Sequence, residues 1–412
     1  MTANKTFRQL RKQLRRRLKR FKRREAMDRL PGGYLLPSRM KSLTPGNDVQ
    51  ILFNGENFFP SVIEALRGAR ESIYMDFYRI NDDRVGNLLG EILSEKAKNG
   101  VEVSVIYDYI GSYASDEYFK WLNSAGVRTA VFNPASLLLS MIGFNRRDHR
   151  KLVVMDGNVG FLGGLNIADR YGDPEKGWQG WRDTAVKASG PVTRQMVSIF
   201  QRSWRRLKEF PLEHAMRYMH EGVEGKQPES GVHAAVVGTE KIRGRRQIIK
   251  AYRKALWRAK RSIYIQSGYF IPPLTTRIAL RRAALRGINV KVIVPQHGDV
   301  AMAHYASHAT FRRLMKDGVK IYEMPGPFMH AKTAVIDGVW STVGSYNQNH
   351  RSFFHDLETA LLVLDEDFGT RMEKSFAEDL KKTIPVDPRK WKARPLNEKI
   401  IERFCYMLHH WL

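Results

Sequence analysis

The chain has 412 residues, of which 43% are hydrophobic, so it can bury a full core as two ordinary domains or one duplicated one. Its 69 Lys+Arg against 42 Asp+Glu leave a formal net charge of +27, a surface suited to polyanions: anionic lipid, nucleic acid or phosphorylated substrates. A single cysteine, Cys405, excludes an intrachain disulfide framework and a CxxC metal site, and no apolar run reaches the roughly 18 residues that a membrane-spanning helix needs.

Residues 1–46 form a basic arm and connector. Phe7, Leu10, Leu14, Leu18 and Phe21 recur at three- and four-residue steps among arginines and lysines. That pattern predicts an amphipathic helix lying on an anionic membrane surface; a solvated arm or a nucleic-acid tail is the other reading. A Pro/Gly-punctuated connector follows, and a first repeat is expected over 47–211. Strand-like VQILFN, SIYMDFYRI, VEVSVIYDYIG and VRTAVFN alternate with helical segments such as FFPSVIEALRGARES and VGNLLGEILSEKAKNG. The apolar PASLLLSMIGF, residues 134–144, is too short to span a bilayer and is read as a loop that dips into lipid or a buried turn.

A polar linker is expected over 212–231, and a second repeat over 232–385 retraces the first. EALRGARESIYMDF matches KALWRAKRSIYIQS, and NGVEVSVIYD matches RGINVKVIVP. The fold class expected is therefore α/β, built from two duplicated α/β/α halves. In the last segment, 386–412, Ile400, Ile401, Phe404, Leu408 and Trp411 share one helical face, which predicts a tail helix docked on the protein through that stripe.

Each repeat carries one constellation. In HRKLVVMDGNVGFLGGLN, His149 is followed by Lys151, Asp156, Gly163-Gly164 and Asn166; in HAKTAVIDGVWSTVGSYN, His330 is followed by Lys332, Asp337, Gly344-Ser345 and Asn347. A strand alternates faces, so each histidine and its lysine project together. The apolar spacer is then buried, and Asp-Gly reads as the turn that ends the strand. The glycines let the backbone pass close to the first strand or to a ligand. Two such half-sites facing each other make one site, with Lys151, Lys332, Asn166 and Asn347 as the clamp for a phosphate. Of two imidazoles, one neutral and one protonated, the first serves as nucleophile and the second as general acid; the residues alone leave open which is which.

The doubled HxKxxxxD pattern with Gly-Gly/Ser-x-Asn resembles the phospholipase D superfamily over roughly 47–385, most closely the short bacterial cardiolipin synthases that lack amino-terminal transmembrane helices. The resemblance implies a pseudo-twofold arrangement of the halves around one shared active site. It implies His149 as nucleophile and His330 as general acid, in a catalytic set that also includes Lys151, Asp156, Lys332 and Asp337. Asp156 and Asp337, placed at turns, read as structural members of that set. Downstream acids, Asp183 in WRD and Glu358 in DLE, match the residues that orient the histidines, with the pairing open. Tyr269, in GYFIPP, matches a cleft-lining segment. His297, His304 and His308 have no known metal-ligand spacing, and no metal or other cofactor is expected.

The implied activity is phosphatidyl transfer between phospholipids, phosphatidylglycerol as donor and acceptor, through a phosphohistidine. The alternatives are hydrolysis to phosphatidic acid and a nuclease using the same chemistry. The implied partners are phospholipid substrates and an anionic membrane surface, with no nucleic acid expected. The implied location is peripheral, on the cytoplasmic face of a bacterial inner membrane.

Overall fold

A computed structural model describes residues 43–133, 146–207, 231–239 and 242–411, the side chains of 242–246 excepted. Nearly all of the basic arm, the 134–144 stretch and the 212–231 linker up to Gly231 lie outside the described residues. The first repeat runs β1 (Thr44–Phe53), α1 (Asn54–Gly68), β2 (Ser72–Phe77), α2 (Arg84–Lys98), β3 (Glu102–Asp108), α3 (Asp116–Ser124) and β4 (Arg128–Phe132). It continues with β5 (Lys151–Met155), β6 (Val159–Gly163), β7 (Thr184–Ser189) and α4 (Pro191–Leu207).

The second repeat follows the same order. It runs β8 (Val232–Gly238), α5 (Ile242–Arg258), β9 (Ser262–Ser267), α6 (Leu274–Leu285), β10 (Asn289–Pro295), α7 (Ala301–Lys316) and β11 (Lys320–Met324). Then come β12 (Lys332–Ile336), β13 (Trp340–Gly344), the short α8 (His350–Phe354), β14 (Thr359–Leu364) and α9 (Glu366–Lys381). The chain closes with β15 (Ile384–Pro385), α10 (Pro388–Ala393) and α11 (Leu396–Met407).

All described strands join one sheet in the order β15-β11-β10-β9-β12-β13-β14-β8-β1-β7-β6-β5-β2-β3-β4. The order reads alike outward in both directions from the β8–β1 seam, apart from the added edge strand β15, as a duplicated α/β fold requires. Period-two alternation sends neighbouring side chains to opposite faces. In β2, Ile73, Met75 and Phe77 enter the core under α1–α3, while Tyr74 enters the opposite one. That opposite core draws Phe200 and Trp204 of α4, Val236 and Leu361 of the second half, and Phe368 and Met372 of α9 into one cluster, so it ties the halves together. A separate core beneath α5–α7 holds Ile248, Leu280, Phe311 and Trp340. The result is helices on both faces of a shared sheet.

Both Asp-Gly dipeptides make hairpin turns with two successive residues in left-handed conformation: φ is 51° and 64° at Asp156 and Gly157, and 54° and 67° at Asp337 and Gly338. These turns match the right-handed twist of the strands they join, and Asp tolerates the position better than most residues do. Each carboxylate is also spent on backbone. Asp156 accepts from the amides of Arg70, Glu71 and Ser72 at 2.9, 2.8 and 2.8 Å. Asp337 does the same for Lys260, Arg261 and Ser262 at 2.8, 2.7 and 2.9 Å.

The tail departs from expectation. It forms two helices rather than one, and α11 turns its polar side inward: Glu402 and Cys405 are buried while Ile400, Ile401, Phe404 and Trp411 are exposed. Ion pairing sets this orientation. Arg394 grips Glu402 through both guanidinium nitrogens at 2.5 and 3.0 Å, and His308 of α7 lies 3.7 Å from the same carboxylate.

Candidate active site

Each histidine motif enters its strand where the two halves meet. His149 precedes β5 and donates its amide to the carbonyl of Leu357 at 2.9 Å; His330 precedes β12 and donates its amide to the carbonyl of Arg182 at 2.8 Å. The residue after each of those carbonyls is the downstream acid. His149 Nδ1 accordingly lies 3.2 Å from Glu358 Oε2, and His330 Nδ1 lies 2.7 Å from Asp183 Oδ2. The pairing is crossed: each histidine is held by the acid of the other repeat.

Strand alternation explains what surrounds them. His149 and Lys151 lie on one face, and Arg150 between them points away into a buried network with Asp148, Asp76 and Ser203. Lys151 Nζ donates to the carbonyl of His149 at 2.7 Å, and Lys332 Nζ to the carbonyl of His330. Both lysines are buried, and neither is among the residues that line the cleft. The glycine pairs approach β7 and β14 rather than the first strand of the motif. A Cβ on Gly163 would fall 2.6 Å from Ala185 Cα, and one on Gly164 would fall 2.1 Å from the Asp183 carboxylate. In the second repeat Ser345 replaces the second glycine, and its hydroxyl donates to Glu358.

A cleft of about 700 Å³ opens over both histidines. Asn166 and Asn347 line it; Asn166 donates to Tyr171 Oη at 2.8 Å, and Asn347 Oδ1 is buried without a partner among the described residues. Tyr269 also lines it, its hydroxyl 2.5 Å from Asp299. Aromatic rings wall in the histidines. Tyr78 stands 4.9 Å from the ring of His149, and Tyr171, Trp181 and Phe328 stand 5.5, 5.8 and 5.8 Å from that of His330. Sequence reading missed Arg79, Arg147, Arg351 and Asp356, which also line the cleft. Arg79, Arg147 and Asp356 sit in loops without periodicity and Arg351 sits in the short α8; none lies within a motif, so only a comparison of the segments that flank the two motifs could have drawn attention to them. Asp156 and Asp337 are not brought into the cleft, and His308 lines a separate groove beside α11.

Burial dominates the electrostatics. It pushes both histidines down, His330 to about 3 and His149 well below its usual value, with Lys332 beside His330 and Lys151 and Lys332 beside His149 adding to the effect. Burial lowers Lys151 to about 7, helped by Lys332, and lowers Lys332 to about 8. The two acids diverge. Burial raises Glu358 to about 8 against the pull of Lys151 and two serine hydroxyls. Burial opposes ionisation of Asp183 too, but Lys332 and His330 outweigh it and hold its carboxyl below the usual range. At neutral pH one histidine therefore faces a neutral acid and the other a carboxylate.

The tautomer of His149 follows from its neighbours. The carbonyl of Ser345, 3.2 Å from Nδ1, can only accept, so Nδ1 carries the proton and Nε2 keeps its lone pair.

Comparison with known proteins gives the family. The family described as "Cardiolipin synthase, PLD-like domain" matches the chain twice, over residues 62–204 and 252–380. The chain belongs to this family. It is an enzyme of the phospholipase D superfamily with the duplicated fold that the strand order displays. A cardiolipin synthase of Geobacillus sp. (strain WCH70) is 34% identical over 363 residues, spanning 88% of this chain and 72% of that protein. Cardiolipin synthase 2 of Bacillus anthracis is 32% identical over 357 residues, spanning 86% of this chain and 69% of that protein. Among solved structures, phosphatidylserine synthase of Haemophilus influenzae shares the fold with a TM-score of 0.68 at 15% identity, covering 94% of this chain and 99% of that one. Among the described residues of the family member at hand, no helix is long and apolar enough to cross a membrane.

Proposed function

We propose that the enzyme transfers a phosphatidyl group from one phosphatidylglycerol to the hydroxyl of another, forming cardiolipin and glycerol through a phosphohistidine on His149. The crossed pairing of two histidines with unlike acids carries this reading. His149 Nε2 attacks phosphorus as the bond to the headgroup oxygen breaks, and His330 gives its proton to the departing glycerol. His330, now neutral, takes the proton of the incoming lipid hydroxyl, whose oxygen attacks phosphorus and releases His149. The ionised Asp183 stabilises the imidazolium that His330 must become, whereas the neutral Glu358 leaves His149 unprotonated and nucleophilic.

Burial by itself holds His330 neutral. A bound phosphodiester adds a negative charge beside it, which favours its protonation and that of Lys151. These cations, with Arg79 and Arg351 in the cleft wall, offset the charge that makes a phosphodiester a poor electrophile. The roles of Asn166 and Asn347 in this proposal are as neutral donors at the phosphate. The relatives named cardiolipin synthase support the choice of lipid, and the positive balance of +27 supports a peripheral position on an anionic membrane, on its cytoplasmic face.

The test is product analysis by mass spectrometry after incubation with phosphatidylglycerol vesicles, with plasmid DNA as a parallel substrate and with and without chelator. Cardiolipin and glycerol, unaffected by chelator, are expected. Phosphatidic acid as the sole lipid product would make the enzyme a hydrolase, and DNA cleavage without lipid turnover would make it a nuclease.

A further inference from the structure

A surface helix in water ordinarily buries its apolar stripe. In α11 the stripe faces out: Ile400, Phe404 and Met407, spaced four and three apart, are 59%, 58% and 64% exposed, while Glu402 and Cys405 pack inward. The Arg394–Glu402 ion pair locks this orientation, so the exposed face is a built feature of the fold.

The stripe does not end with the helix. Trp411 extends it, is 67% exposed, and lines the cleft that holds His149 and His330. Elsewhere on the rim, Val300 and Ile110 line the cleft and are also exposed. Apolar side chains therefore run from α11 to the mouth. Cations stand beside the stripe on α11, Lys399 next to Ile400 and the exposed Arg403 next to Phe404, and they share a groove with the exposed Arg312 and Lys392.

An apolar band bordered by cations and continuous with a cleft mouth fits the interface of an anionic bilayer, where apolar side chains reach the acyl boundary and cations meet phosphates. A second copy of the chain fits poorly. It would lie across the mouth, and it would bring together two molecules that each carry +27.

We propose that the outer face of α11, continued by Trp411, Val300 and Ile110, is the surface on which the enzyme rests on an anionic bilayer, so that the cleft mouth opens onto the lipid. The proposal rests on the phosphatidyl-transfer reading for the use made of that mouth; attachment itself is read by binding, independently of turnover.

The experiment compares the full chain with its Ile400→Ser/Phe404→Ser/Met407→Ser variant. Affinity is measured by sedimentation with vesicles of equal parts phosphatidylglycerol and phosphatidylcholine, in about 1 M salt, where screening over about 3 Å removes most of the contribution of surface charges. The intact chain should stay bound and the variant should lose about tenfold or more in affinity, since each large apolar side chain withdrawn from the interface is a separate loss. Turnover of a short-chain phosphatidylglycerol below its micelle concentration should stay within about twofold, because that substrate needs no bilayer. Should the triple variant melt early, Phe404→Ser alone provides the comparison. Equal vesicle affinity of variant and parent overturns the proposal, as does release of the parent by salt alone. A dimeric parent that becomes monomeric in the variant, with vesicle affinity unchanged, assigns the face to a second copy instead. If neither protein turns over lipid while only the parent binds vesicles, the phosphatidyl-transfer reading fails and the docking surface stands.

Discussion

His330 Nδ1 meets Asp183 Oδ2 at 2.7 Å across 147 residues of sequence, and His149 meets Glu358 at 3.2 Å across 209. The two contacts are related by the duplication yet differ in charge. Asp183 is held ionised by Lys332 and His330 despite its burial, and burial keeps Glu358 protonated up to about pH 8. A twofold frame has thus acquired unlike halves, which is what the proposed reaction, with one nucleophile and one acid, requires.

The first prediction separates those halves. Asp183→Asn should lower kcat by about 10²–10⁴-fold at pH 7, because the imidazolium of His330 loses its counter-charge. Glu358→Gln should cost less than about tenfold, since an amide replaces an acid that is already neutral at that pH. Steady-state turnover of phosphatidylglycerol decides it, and equal losses would show that the acids act alike.

The covalent step is tested with lipid carrying a radiolabelled phosphate. His149→Ala should retain no label on the protein. His330→Ala should become labelled from a donor with an activated leaving group, which needs little protonation, and should release the label slowly. Label held by the His149→Ala protein would move the nucleophile to the other half.

Acid sensitivity has a definite sign. His330 is held at about 3 in the folded protein against an ordinary 6.5, so between those values the unfolded chain binds more protons. Its contribution to stability is therefore present above pH 6.5 and is lost as pH falls toward 3. His149 acts in the same direction. Urea denaturation between pH 4 and 7 should show stability falling with pH, and His330→Asn should flatten that slope by up to one proton. An unchanged slope would mean that His330 titrates alike in both states.

Asp156 names the motif but holds three backbone amides outside the cleft. Asp156→Ala should lower stability by about 2–4 kcal/mol, through unpaired amides and a residue ill suited to positive φ. Asp156→Asn, which tolerates that conformation and still accepts, should cost less. Turnover per folded molecule, measured at a temperature where both variants stay folded, should remain within about threefold of the parent. A loss comparable to that of His149→Ala would bring the aspartate into the chemistry.

Much of this molecule was legible in one dimension because its signals are local. Strand alternation put His149 with Lys151 and His330 with Lys332, the Asp-Gly pairs announced hairpin turns, and the internal match of the two repeats implied a duplicated α/β sheet. The crossed pairing of His149 with Glu358 and His330 with Asp183 was not legible, since it exists only where the β1–β8 seam brings one half against the other. The unlike states of the two acids depend on burial and on lysines contributed by both motifs, which no spacing encodes. The tail shows the division most plainly. Periodicity marks the stripe of Ile400 and Phe404 but is blind to which side of a helix meets the protein; the packing of Glu402 against Arg394 and His308 decided that, and turned the stripe outward.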